Sequence, residues 1–492
     1  MGAYWLVRTF FEIAICQGFL YNIHMKLFNT LTRSKDEFKP MDGETAKIYS
    51  CGPTVYNTAH IGNLRAYIFV DILKRAIELK GFKLFDVMNS TDVGHLVEEL
   101  DEQGKNKVEE AARKAGTTPD QIAQKYTEEF WQHAGKLNIR RPKIFAPATQ
   151  YVDDMIKFVM ALEKKGLTYV ISDGVYFDSS KFEDYNKLSR MPIDKLKAGA
   201  RIDIGERRNP HDFVLWKFID EKSMQKWKSP WSKHGCPGWH IECSAIARHH
   251  LGDTFDIHTG GVDHIPIHHT NEIAQTESIT GKPMSNFFLH NEFITVDGGK
   301  MSKSLGNVYT IDDIVARGFD PLAFRYYCLL SHYRSILNFT WEGLKSAQTA
   351  YDNLIELLAR HKNAEYSSEK FAEIKKTTVT AKQTLMDDLN TAKLIAGIWD
   401  LVKKPPLANI FYAVIAYDQV LGLDLVKRTN EYLKKKNKKS DVPKEIVDLA
   451  NKRMQAKSKK DFAAADQIRK QIEKRGYNIV DTKEGYEINL HS

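Results

Sequence analysis

Apolar residues change their period repeatedly along the chain. KIYSC (47–51) reads as an apolar strand ending near Cys51. A glycine-containing turn follows, then a helix from about Asn63 to Lys80 closed by Gly81, then a second strand in FKLFDVM (82–88). Strand, helix and strand in that order build a parallel sheet, whose ligands gather at the carboxyl ends of its strands. Between about Thr91 and Trp231 lies a long, charge-rich, mainly helical stretch with a hairpin pattern in TYVISDGVYFD (168–178); it reads as an insertion between two halves of the sheet. The strand and helix rhythm resumes with TFDIHTGG (254–261), a helix through HHTNEIAQTESI (268–279) and a strand in FFLHNEFITV (287–296). After Leu337, Ala347, Tyr351, Leu354 and Leu358 recur at steps of four, three and four, which places them on one helical face. Thr391 to Val420 fits a further buried helix pair broken at Pro405 and Pro406, because proline cannot sit inside a helix.

Composition narrows the class. At 492 residues, 42% apolar and 27% charged, the chain suits about three globular domains rather than a disordered polymer. Its net charge of +8 is modest, but Lys434, Lys435, Lys436, Lys438 and Lys439 form a run that suits either a solvated linker or a polyanionic partner. Five scattered cysteines do not make a disulfide scaffold, and an odd number fits a reducing, cytoplasmic compartment. Residues 1–24 are apolar, yet Arg8 and Glu12 interrupt the run and it is too short to span a membrane; they read as a dispensable extension, or a misplaced start, ahead of Met25.

Candidate chemistry falls into four groups. Cys51, Cys243, His268 and Glu272 offer two sulfurs, a nitrogen and an oxygen, a set that suits zinc better than calcium or magnesium. His268 and Glu272 are four apart on a helix and so share a face. Isolated residues of these kinds are commoner as buried cysteines or hydrogen-bonded helix faces, which is the reading given to Cys16 and Cys328; Cys236, seven residues before Cys243, competes as a ligand. HIGN (60–63) combines the donors His60 and Asn63 with Gly62 at a helix start, where unpaired N–H groups bind phosphate, although a helix cap uses similar residues. DGGKMSKSLGN (297–307) puts Lys300 and Lys303 on a glycine-flanked loop, able to offset charge on a departing pyrophosphate. HTGGVDH (258–264) ends a strand in Gly260 and Gly261, with Asp263 placed for a ribose hydroxyl.

In this order, CGPTVYNTAHIGN, PGWHIECS, HHTNEIAQ and KMSKSLGN resemble the class I aminoacyl-tRNA synthetases, and specifically the cysteinyl-tRNA synthetases. The similarity runs from about Met25 to the end and takes in DFVLWK (212–217), YRS (333–335), MDDLNTAK (386–393) and KDFAAADQIR (460–469). It implies an α/β protein: a Rossmann-like parallel-sheet catalytic domain over 25–337 with a connective insertion at about 95–230, a helical bundle over 338–425, and a small anticodon-binding region over 426–492. It further implies one Zn2+ per chain on Cys51, Cys243, His268 and Glu272, binding the substrate sulfur, and Mg-ATP as a substrate. His60, Gly62, Asn63, Gly260, Gly261, Asp263 and Lys303 correspond to nucleotide-binding positions, with His60, Asn63, Lys300 and Lys303 as catalytic groups and Trp239 and His240 walling the cysteine pocket.

The implied reaction is ATP-dependent activation of L-cysteine to cysteinyl-adenylate and transfer to the 3′ end of tRNA(Cys), by a monomer with no membrane partner. Serine has nearly the shape of cysteine, so a thiolate-preferring metal rather than size separates them. Three positions depart from the family pattern: Asn63 for the final histidine of the class motif, Cys236 for a basic residue, and Ile488 for a tryptophan. Two rivals use the same parts, a cysteine ligase acting on a small amino-sugar and a non-catalytic tRNA- or cysteine-binding paralogue. The first has no use for residues 340–492, and the second has no need of HIGN or KMSKS.

Overall fold

A computed structural model describes residues 23–94, 106–191, 205–302, 305–440, 442–482 and 485–490. At its centre lie five parallel strands, β1 Thr45–Ser50, β2 Lys83–Ser90, β3 Ile144–Pro147, β4 Phe255–Gly261 and β5 Ser285–Asn291, in the order β5-β4-β1-β2-β3. Helix α1 (Ile61–Lys80) connects β1 to β2 and buries Leu64, Ile68, Ile72, Leu73 and Ile77 in the main core. It stops at Gly81, whose φ of 105° lets the backbone turn left-handed and close the helix. Because β2 lies on one side of β1 and β4 on the other, the order reverses beside β1, and the carboxyl ends of β1 and β4 flank a crevice suited to a ligand. Register brings Ser50 opposite Thr259, and the Cys51 N–H donates to the Thr259 carbonyl at 3.3 Å. Two helices that border this crevice, α2 (Trp239–Leu251) and α3 (His268–Thr280), are buried along most of their length.

The architecture differs from the sequence pattern in several places. Strand β3 lies inside the stretch read as an insertion at 95–230, so that stretch supplies one edge of the central sheet. Its second half supplies Thr168–Ile171, Gly174–Phe177 and Phe213–Phe218, which join Gly235–Pro237 just beyond it in a four-stranded antiparallel sheet, where helices were expected beyond the hairpin. FFLHNEFITV is two strands, since Ile294–Val296 leaves the central sheet to pair with Gly299–Lys300 and Leu337–Phe339. The physical cause of the break is Arg65, 3% exposed on α1, whose guanidinium donates to the carbonyls of Glu292, Phe293, His332 and Ser335.

Beyond Phe339 come helices Trp341–Lys362, Phe371–Met386, Thr391–Val402 and Ala408–Leu421, the last two separated by Pro405 and Pro406. Helix Leu425–Ser440 crosses the expected boundary at 426, with Leu425 buried in the main core and Tyr432 packed against it. The remainder, Lys444–Ser458, Phe462–Glu473 and the antiparallel hairpin Tyr477–Thr482 and Gly485–Leu490, has its own small core of Ile446, Ala450, Ile472 and Ile479. Ile488 packs against that core.

Two buried charge clusters join these parts. Arg325 and Asp71 are fully buried and paired at 2.6 Å; Arg325 also donates to the carbonyls of Leu421 and Leu137, so it binds α1, the chain after the helix Pro119–Lys136, and the end of Ala408–Leu421. The YRS and MDDLNTAK stretches meet at Asp388, which accepts from Tyr333 at 2.6 Å and from Arg334 at 2.6 and 2.8 Å. No helix among the described residues is long and apolar enough to cross a membrane.

Candidate functional site

Strand β1 delivers Cys51 to the sheet's carboxyl edge, α2 delivers Cys243, and the first two turns of α3 deliver His268 and Glu272. Their ligand atoms lie within 4.8 Å of one another. Cys51 Sγ is 3.9 Å from Cys243 Sγ, which is 3.5 Å from His268 Nε2. His268 Nε2 and Glu272 Oε1 approach to 3.0 Å, yet Oε1 has no hydrogen-bond partner. Those two atoms are therefore close without the alignment of a hydrogen bond, as two lone pairs facing a shared cation would be. Cys243, His268 and Glu272 are at most 2% exposed.

Such a cluster is costly without a cation. Burial raises the Cys51 thiol, but the hydrogen bond with Cys243 and the neighbouring His269 outweigh it and hold Cys51 well below the usual thiol range. Cys243 goes the other way, pushed up by burial and then by its hydrogen bond with, and repulsion from, Cys51. Burial lowers His268, but Glu272 and Cys51 together outweigh it and raise the imidazole to about 10. Glu272 is held low against its own burial by His258 and His268. Two sulfurs, a carboxylate and an imidazole thus share a largely dry space, where a dication can take the place of protons.

A second set, Cys51, His258, His269 and Glu272, satisfies the same distance limit. Glu272 Oε2 is already engaged by His258 Nε2 at 2.8 Å, and His269 Nε2 stands 4.0 Å from Oε1. The set with two sulfurs leaves Oε1 available and suits a soft metal better. His258 and His269 then support the ligands: His269 contacts Cys51 at 3.4 Å through Nε2 and His290 at 2.9 Å through Nδ1, and His290 contacts Thr30 at 2.7 Å. His240 reaches His268 at 2.8 Å, and the Trp239 ring lies 4.6 Å from the His268 ring.

Comparison with known proteins fixes the family. The family described as tRNA synthetases class I (C) catalytic domain matches residues 37–349. Cysteine–tRNA ligase 1 of Burkholderia lata is 40% identical over 470 residues, 94% of this chain and 96% of that protein. The cysteine–tRNA ligase of Treponema denticola is 39% identical over 482 residues, 93% and 98% of the two chains. This chain belongs to the cysteine–tRNA ligase family. Among solved structures, Mycobacterium tuberculosis methionyl-tRNA synthetase in complex with methionyl-adenylate superposes with a TM-score of 0.58 at 14% identity, over 78% of this chain and 93% of that one, a likeness of fold.

Within this cysteine–tRNA ligase family member, the remaining motifs lie around the same crevice. His60 caps α1 reciprocally with Asn63: the Asn63 N–H donates to His60 Nδ1 at 3.2 Å, and the His60 N–H donates to Asn63 Oδ1 at 3.1 Å. Asn63 therefore fills the N3 position of a capping box with its oxygen, and its carboxamide still carries N–H donors. Gly260 and Gly261 end β4. A Cβ on Gly260 would come within 2.7 Å of His264 and His269, so the absence of a side chain is what allows those rings to pack there. Asp263 is exposed in the following turn. Lys300 is exposed at the end of its hairpin strand; Lys303 lies outside the described residues.

Cys236 takes no part in either metal-ligand set. It lies in Gly235–Pro237, buried, with its thiol pushed up to about 12 chiefly by that burial. Cys328 is likewise buried and raised to about 12, and Cys16 lies outside the described residues. Sequence reasoning missed His258, His269 and His290. For His258 and His290 the available signal was a histidine set inside an apolar strand, DIHT and FLHN, and for His269 the histidine pair that opens HHTNE.

Proposed function

We propose that this chain activates L-cysteine with Mg-ATP to cysteinyl-adenylate and transfers the cysteinyl group to the 3′ end of tRNA(Cys). The observation that carries the reading is the convergence of Cys51, Cys243, His268 and Glu272 at the carboxyl edge of the sheet, one residue beyond β1. A Zn2+ held by these four residues supplies a soft Lewis-acid position that takes a thiolate in preference to a hydroxyl. Trp239 and His240 wall the amino-acid pocket beside His268, which orients the substrate carboxylate towards the HIGN turn.

Activation needs no enzymic nucleophile. The substrate carboxylate attacks the α-phosphorus of ATP, the bond to pyrophosphate breaks, and the protein supplies position and charge. His60, Gly62 and Asn63, at the start of α1, bind the phosphates. Gly260 and Gly261 let the nucleotide approach the backbone, and Asp263 accepts from the ribose. Lys300 and Lys303 stabilise negative charge on the departing pyrophosphate. Transfer follows when a ribose hydroxyl of the tRNA end attacks the activated carbonyl and AMP leaves. The basic C-terminal region binds the tRNA through phosphates, as a monomer.

The test is cysteine-dependent exchange of pyrophosphate into ATP, followed by charging of tRNA(Cys). Both activities are expected. Exchange without charging would instead indicate a small-molecule cysteine ligase, and neither activity would indicate a non-catalytic paralogue.

A further inference from the structure

Asn307 closes the last signature motif by bonds at both ends of its carboxamide. Its Oδ1 accepts from the Ser302 N–H at 2.8 Å, and its Nδ2 donates to the Lys300 carbonyl at 3.1 Å. The Leu305 N–H donates to the Ser302 carbonyl at 3.2 Å, and Gly306 stands at φ 64°. Two residues further on, the Tyr309 carbonyl accepts from the Ile61 N–H at 2.9 Å, so the chain leaving the motif is tied to the first residue of α1. Met301 lies against the same turn, its Cε 3.7 Å from the point a Cβ on Gly62 would occupy. At the root of the hairpin a second asparagine does similar work: Asn338 Oδ1 accepts from the Gly298 N–H at 2.7 Å and from Thr295 Oγ1 at 3.1 Å.

We propose that Asn307 is a positioning residue for adenylation, which fixes the backbone of Lys300, Met301 and Ser302 against the first turn of α1. The proposal rests on the cysteine-activating reading above. Lys303 and Ser304 lie outside the described residues, and the residues concerned are those on either side of them. Beyond the strand pair, the Lys300 carbonyl and the Ser302 N–H are held by a side chain, and the side chain must accept and donate at once. Asparagine does both; aspartate only accepts, and alanine does neither. Catalysis by charge placement is sensitive to misplacements of about 1 Å, so slack here falls on the rate of activation rather than on cysteine binding, which takes place at the metal cluster.

The experiment uses full-length Asn307→Ala and Asn307→Asp proteins in pyrophosphate exchange and in limited digestion with trypsin. For Asn307→Ala, kcat should fall tenfold or more while the KM for cysteine changes less than twofold, and cleavage after Lys300 should be at least fivefold faster at an unchanged melting temperature. Asn307→Asp keeps the bond to Ser302 and loses the one to Lys300, and should fall between. An Asn307→Ala protein with normal kcat, a reduced kcat with normal cleavage, or equal losses in kcat and cysteine affinity would each overturn the assignment. Should the unaltered protein show no cysteine-dependent exchange, the functional reading fails, whereas the cleavage rates still decide by themselves whether Asn307 holds Lys300 and Ser302.

Discussion

Replacing Arg325 with methionine keeps the volume of a fully buried side chain and removes its charge. Asp71, also fully buried, loses a 2.6 Å ion pair but keeps Arg75 at 2.7 Å, while the carbonyls of Leu421 and Leu137 lose their donor. Removing one partner of a buried pair costs about 3–5 kcal/mol; because Arg75 stays paired with Asp71, a value of about 3 applies. Unfolding entropy of about 2.1 cal/mol/K per residue, applied to 492 residues, gives about 1 kcal/mol/K. Arg325→Met should therefore lower the melting temperature by about 3 °C if the chain unfolds as one unit, and by more if the bundle separates first. Differential scanning calorimetry at pH 7 measures this.

The pH dependence carries its own sign. Burial raises the Asp71 carboxyl, but Arg325 and Arg75 outweigh it and hold the folded value below the ordinary one. A depressed carboxylate contributes stability above its unfolded value, about 4, and loses that contribution as pH falls through the folded value. The gap between the two proteins should accordingly be widest above about pH 5 and narrow as the solution is acidified below that. A shift under 1 °C at pH 7, or a gap that widens in acid, would refute the reasoning.

Other substitutions probe the crevice and the tail. Gly260→Ala drives a Cβ to within 2.7 Å of His264 and His269 and should cost about 1–3 kcal/mol by overpacking; because His269 contacts Cys51, bound metal per chain should fall as well, which elemental analysis reports. Lys303→Ala should reduce the kcat for pyrophosphate exchange at least tenfold with little change in the KM for cysteine, and equal losses in both would remove it from the transition state. Neutralising Lys434, Lys435 and Lys436, all exposed, should flatten the log–log salt dependence of tRNA binding by about one unit for each phosphate that the lysines no longer neutralise; an unchanged slope would place the tRNA elsewhere.

How far the sequence foretold this molecule depended on how local each signal was. Gly81 marked the end of α1 because a left-handed cap is written in a single residue. Cys51, Cys243, His268 and Glu272 span more than two hundred residues, yet each sat in a strand end or helix that the pattern identified, and the structure brings them within reach of one ion. His60 and Asn63 suit ligand donors and a helix cap alike in sequence, and they do cap one another, which leaves their nucleotide contacts to experiment. Strand β3 was missed because four residues ending in proline carry no period, and only its partner β2 makes it a strand. The split of FFLHNEFITV was invisible for a related reason: it is imposed by Arg65, more than two hundred residues earlier. His258 and His290 escaped because a buried histidine in an apolar strand looks like one more core position until its partners are known, and His269 because it opens α3 next to His268, where only one of the pair was read as a ligand.

The central claim is that this cluster of sulfur, nitrogen and oxygen donors tells cysteine from serine by its preference for a thiolate. Its most direct test is the ratio of kcat/KM for cysteine and for serine in pyrophosphate exchange by the zinc-loaded protein. A ratio on the order of 10^4 or more is expected, as for sites that leave a polar partner unmet in the wrong substrate. Serine activated nearly as well as cysteine by protein carrying one zinc per chain would contradict it.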